Sequence, residues 1–94
     1  MNPFLVAHAR RAGIDPALAE RLWNEAQRRE AASESPQAIA KALALQGPGV
    51  DVYLSDVGSW ADGPSPVYVV RVKARGAGRD FVQLTRRSPR RFGL

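Results

Sequence analysis

Three times before residue 37 the chain sets a helix-capping side chain directly ahead of a proline: Asn2-Pro3, Asp15-Pro16 and Ser35-Pro36. A helix leaves the N–H groups of its first turn without intrahelical partners, and Asn, Asp and Ser can accept hydrogen bonds from them. Proline suits the next position, because it has no N–H to strand and its φ is already helical. Glycine supplies the stops, Gly13 after the first segment and Gly47-Pro48 after the third. The spacing predicts helices over 3–12, 16–32 and 36–46. In the second, Leu18, Ala19, Leu22, Trp23 and Ala26 share a stripe, with Trp23 expected as a core anchor. In the third, Ile39, Ala40 and Leu43 form the stripe and Leu45 extends it; in the first, Phe4, Leu5 and His8 line up.

From Val50 the apolar period changes from helical to alternating. VDVYLSDV puts Val50, Val52 and Leu54 on one face, with Asp51, Tyr53 and Ser55 on the other. PVYVVRVKAR puts Tyr68, Val70, Val72 and Ala74 inward, with Val67, Val69, Arg71, Lys73 and Arg75 outward. GAG at 76–78 reads as a hairpin loop, after which RDFVQLT returns with Val82 and Leu84 inward and Arg79, Phe81 and Gln83 outward. The loop GSWADGPSP at 58–66 carries Trp60, placed either against the sheet or toward a partner. The expected fold is α+β: three N-terminal helices on one face of a small three-stranded antiparallel sheet. Residues 1–85 form the single domain of this reading, and 86–94 a flexible, extended basic tail broken by Ser88-Pro89.

Ninety-four residues fit one domain with a thin core. With no cysteine, the chain has neither disulfides, a Cys-based zinc site nor a thiol nucleophile. No apolar run approaches the ~20 residues of a membrane-spanning helix. In MNPFLVAHARR charge follows the apolar stretch, the reverse of a secretion signal, so a cytoplasmic location is expected. The net charge of +5 is unevenly spread. Residues 1–46 carry +1, residues 47–70 carry −3, and residues 71–94 set eight basic side chains against Asp80 alone for +7. Such polarity attracts a polyanion or an acidic protein face. Twelve of the fourteen basic residues are Arg in a chain also rich in Ala, Gly and Pro, a composition that a high-GC genome produces as well.

SPQAIAKALALQG, residues 35–47, resembles the first helix of a helix-turn-helix, on Ser35, Ile39, Ala40 and Leu43. The resemblance implies a recognition helix next, yet Gly47-Pro48-Gly49 leads toward a strand. A winged-helix version makes 36–46 the recognition helix, with Gln37, Lys41 and Gln46 as its polar positions. No Ser/His/Asp order, phosphate-binding glycine loop or HExxH motif is present, and His8 has no Cys or second His to share a metal with. No catalytic residue, metal or cofactor is therefore expected.

The outward sheet face gathers Tyr53, Arg71, Lys73, Arg75, Arg79, Phe81 and Gln83, and the tail adds Arg86, Arg87, Arg90 and Arg91. Aromatic rings can stack on unpaired bases while Arg and Lys hold phosphates. Alternation alone also gives a half-buried sheet a polar face. The reading is a small non-enzymatic accessory protein, bacterial or from a mobile element, that binds nucleic acid through this face and tail, with single strands or RNA favoured. The alternative is a protein–protein interaction module or inhibitor. It would dock an acidic partner through the Trp60 loop and the tail, with Phe92 and Leu94 as apolar anchors.

Overall fold

All three expected caps form in the computed structural model, which describes residues 2–59, 66–76 and 80–86. Asn2 Oδ1 accepts the N–H groups of Phe4 (2.9 Å) and Leu5 (3.4 Å). Asp15 Oδ1 accepts that of Ala17 (3.3 Å), and Ser35 Oγ that of Ala38 (3.1 Å). The helices that follow are α1 (Pro3–Ala12), α2 (Pro16–Ala31) and α3 (Pro36–Ala44). Gly13 closes α1 in the left-handed region at φ 73°, its N–H on the carbonyls of Ala9 and Arg10. Near the end of α2, hydrogen bonds from Arg28 and then Arg29 hold the Glu25 carboxyl below its usual range, and Arg29 also reaches Glu34. Removing a cap should be measurable. Asp15→Ala is expected to lower stability by about 0.5–2 kcal/mol in urea denaturation. No loss would mean that Asp15 does not support the start of α2.

Two apolar residues fall outside the stripes given to them. α1 docks along Leu5, Ala9 and Ala12, at helical i, i+4, i+7 spacing, which leaves Phe4 77% exposed. α3 ends at Ala44, short of residue 46, and Leu45 is 88% exposed. The chain must turn there to bring Gly47 against the start of the sheet, where a Cβ would lie 2.7 Å from Val50 Cγ2. Trp23 is half-buried and packs against the core from its margin.

The strands are β1 (Val50–Ser59), β2 (Pro66–Ala74) and β3 (Phe81–Gln83), joined antiparallel in the order β1-β2-β3. Val52 faces Val72, which in turn faces Val82. The β1–β2 register shifts between Asp56 and Ser59, where Gly58 has φ 107° and donates its N–H to Asp56 Oδ1 (2.9 Å). β3 is shorter than the RDFVQLT run suggested. Leu84 N–H still reaches the Val70 carbonyl (2.8 Å), but Val70 N–H is accepted by Thr85 Oγ1 (2.9 Å), so a side chain closes the ladder. Helix α2 pins that end: Gln27 Nε2 donates to Leu84 O (2.7 Å), and Arg86 N–H to Glu30 Oε2 (3.0 Å).

The helices cover one face of the sheet. α3 lies against β1 and β2, α1 against β3, and α2 packs on both other helices. Leu5, Ala9, Leu22, Ala26, Ile39 and Leu43 meet Val50, Val70, Val72, Val82 and Leu84 in the core. This is the expected α+β architecture of three helices followed by a three-stranded sheet. Because α3 runs into β1, the helix-turn-helix resemblance stops at a sequence pattern: Ile39 and Leu43 are buried, and the next element is a strand where the motif needs a helix.

Candidate functional site

With the helices on one side, strand parity sends Asp51, Tyr53 and Ser55, then Arg71, Lys73 and Arg75, then Phe81 and Gln83 to the other. Tyr53 lies opposite Arg71, which lies opposite Gln83; Asp51 lies opposite Lys73, which lies opposite Phe81. The two cations of β2 and Arg75, which follows its last residue, obey one rule. Each leans toward the β1 residue diagonal to it, a distance that long side chains span. Arg71 Nη1 donates to Ser55 Oγ (2.9 Å), Lys73 Nζ lies 5.6 Å from the Tyr53 ring centroid, and Arg75 Nε donates to Asp51 Oδ1 (3.2 Å). Arg71 is also held from the β3 side, its Cζ 4.0 Å from the Phe81 ring centroid. Both ring contacts fall within the range where a cation is attracted to a π face.

The cations differ in how far they are committed. Arg71 is half-buried, and among the described residues its enclosed Nε has no hydrogen-bond partner. Arg75 reaches across β1 to Asp51 and to the Val50 carbonyl (Nη2, 3.0 Å). That ion pair is exposed, with side-chain accessibilities of 63% and 43%, so it contributes little to stability and water or another anion can compete for it. Lys73 makes no ion pair among the described residues. Phe81 keeps 39% of its surface exposed although one side of its ring meets Arg71.

The outward face is not wet throughout. Val67 and Val69 fall on it by parity yet are buried, at 2% and 0% exposure, outside the main core cluster. The polar surface therefore begins at Arg71. Arg86 is exposed and engaged through its backbone. Trp60, Arg79, Arg87, Arg90 and Arg91, and the proposed anchors Phe92 and Leu94, lie outside the described residues.

Three features were not singled out from sequence, two on the outward face and one on the helix-covered side. Ser55 and Asp51 act as polar partners for Arg71 and Arg75; their parity was visible, but their pairing required the register. The third is an apolar groove of about 200 Å³ beside β3, lined by Phe4, Leu5, His8, Trp23 and Val82 among others. The i, i+4 spacing of Phe4 and His8 was its only signal. Among the described residues no His, Cys, Asp or Glu cluster could hold a metal ion, and no helix is long and apolar enough to cross a membrane. No family model matches the chain, and no curated protein or solved structure is significantly similar to it.

Proposed function

We propose that the protein binds single-stranded nucleic acid, without catalysis, on the outward face of the sheet. The observation that carries this reading is the pairing of ring with cation: Arg71 against Phe81 and Lys73 against Tyr53, side by side on neighbouring strands. A ring already flanked by a cation offers a base a stacking surface and its phosphate a charge within the same few ångströms. Holding the cations in place beforehand reduces the side-chain entropy lost on binding. Arg75 and the arginines from Arg86 onward extend the positive charge beyond the rings.

A salt titration tests this directly. Each phosphate contact releases condensed counterions, so log affinity falls with log salt by about 0.7 per contact for single strands. With Arg71, Lys73, Arg75 and the tail arginines engaged, the slope against a fluorescent oligonucleotide is expected at about −3 to −5. Single-stranded DNA and RNA should bind more tightly than duplexes of equal length, because duplex bases offer no open face to the rings. Binding seen only below physiological salt, equal for single and double strands, would reduce the attraction to generic charge. Docking of an acidic protein partner would then be the better reading.

A further inference from the structure

Among the described residues β1 is an edge strand, paired with β2 alone. Arg75 N–H donates to Gly49 O (3.2 Å), which marks residues 49 and 75 as a hydrogen-bonded pair. Antiparallel pairing alternates, so Asp51, Tyr53 and Ser55 bond to β2, while Val50, Val52, Leu54 and Asp56 turn their N–H and C=O groups to the outer edge. Val50 is already engaged there, its N–H near Gly47 O (3.4 Å) and its carbonyl on Arg75 Nη2 (3.0 Å). Nothing among the described residues bonds the outward groups of Val52 and Leu54. Their half-buried side chains pack against the margin of the core, so an apolar rim runs beside this unpaired backbone. Natural sheets blunt such edges with charged side chains, above all lysine, with proline or with a bulge. Residues 50–56 hold no Lys, Arg or Pro, their charges are Asp51, paired with Arg75, and Asp56 at the far end, and the irregularity begins only after Asp56.

We infer that a second copy of this chain pairs with that edge, β1 antiparallel to β1 about a two-fold axis at Tyr53. The choice follows from the strand itself. The outward groups sit on even-numbered residues, so only registers that pair even with even can form a ladder. A two-fold at Asp51 would set that carboxylate against its own copy, and like charges directly opposite are destabilising. A two-fold at Leu54 or Ser55 would set Val52 or Leu54 against Asp56 of the second copy. A two-fold at Val52 would rely on Val50, whose backbone groups are occupied. At Tyr53 these conflicts fall only on the outermost pair, Val50 with Asp56 of the second copy, which adds nothing to the ladder; residues 51–55 are free of them. Val52 pairs with Leu54 of the second copy, each N–H meeting the other's carbonyl, and Asp51 faces Ser55. The contact is isologous and closes, as a cyclic dimer requires, and it joins the two sheets into one of six strands.

Solution mass and a cysteine cross-link test this without nucleic acid, so the result stands apart from the binding reading. In light scattering with sedimentation equilibrium, the 10.2 kDa chain is expected at twice that mass as concentration rises, and Tyr53→Lys, which opposes two ammonium groups at the axis, at the mass of one chain. The chain has no cysteine, so a single introduced thiol reports cleanly. Residues at the axis form a non-hydrogen-bonded pair with Cα atoms about 4.5 Å apart, within disulfide range. Under mild oxidation Tyr53→Cys should therefore convert to a covalent dimer at least tenfold faster than Ala31→Cys, which is exposed on α2. A single-chain mass for the unmodified protein up to millimolar concentration would overturn the pairing. So would equal cross-linking rates for the two cysteine variants.

Discussion

Leu43→Ala is expected to lower folding stability by about 2–5 kcal/mol, the range for truncating a fully buried leucine. A domain of this size has only about 5–15 kcal/mol to lose. Leu43 is 0% exposed and sits where α3 crosses onto β1 and β2. α3 has nine residues, too few to be stable alone in water, so its helicity depends on Ile39 and Leu43 docking on the sheet. Truncating one of two anchors removes methyl groups from the core and leaves a cavity that the short helix can only partly close. Leu45→Ala is the matched control, two residues along and 88% exposed, and should change stability by no more than about 0.5 kcal/mol. Urea denaturation of both variants decides the matter. Equal losses would mean that α3 docks through a different face from the one described.

That contrast also shows where the sequence was legible. Cap and proline act within a few residues of each other, and Asn2, Asp15 and Ser35 needed no tertiary knowledge to be read as helix starts. The alternation from Val50 onward likewise reports a sheet with one buried face. Leu43 and Leu45 are equally apolar, and Phe4 is as apolar as Leu5. What separates them is which side of a short helix meets the sheet, and that is settled by the turn at Gly47 and the docking of α1. The early end of β3 depends on Thr85 reaching Val70, fifteen residues away. Val67 and Val69 had the parity of the wet face, and parity carries no information about what covers a residue.

The candidate site divides in the same manner. Strand parity alone placed Tyr53, Arg71, Lys73, Arg75 and Phe81 on one side. It could not give the register, and the register decides which cation reaches which partner. Sliding β1 by two residues along β2 would keep every residue on its face while bringing Lys73 within diagonal reach of Asp51 in place of Tyr53. The ring–cation pairing is therefore a property of the fold and not of the alternation.

Phe81→Ala and Tyr53→Ala should each weaken single-strand binding by about 1–3 kcal/mol, the cost of removing one base-stacking ring. Affinity would drop roughly 5- to 150-fold, since about 1.4 kcal/mol is tenfold. Phe81→Ala should be the more severe, because it also removes the ring against Arg71 and leaves the guanidinium held from the β1 side alone. Tyr53→Phe should bind nearly as well as the unmodified protein, because stacking and the Lys73 contact use the ring and not the hydroxyl. The salt slope should be almost unchanged in all three variants, since none alters the number of cations. Phe4→Ala supplies the control for a generic loss of aromatic surface: Phe4 is 77% exposed but lies on α1, which packs on the helix-covered side of the sheet and not on its outward face. Fluorescence anisotropy at one salt concentration separates these outcomes. If Phe4→Ala costs as much as Phe81→Ala, the bases do not stack on the sheet. If neither Tyr53→Ala nor Phe81→Ala matters while the slope stays steep, the cations hold the phosphates without help from the rings, and the selectivity for single strands should vanish with it.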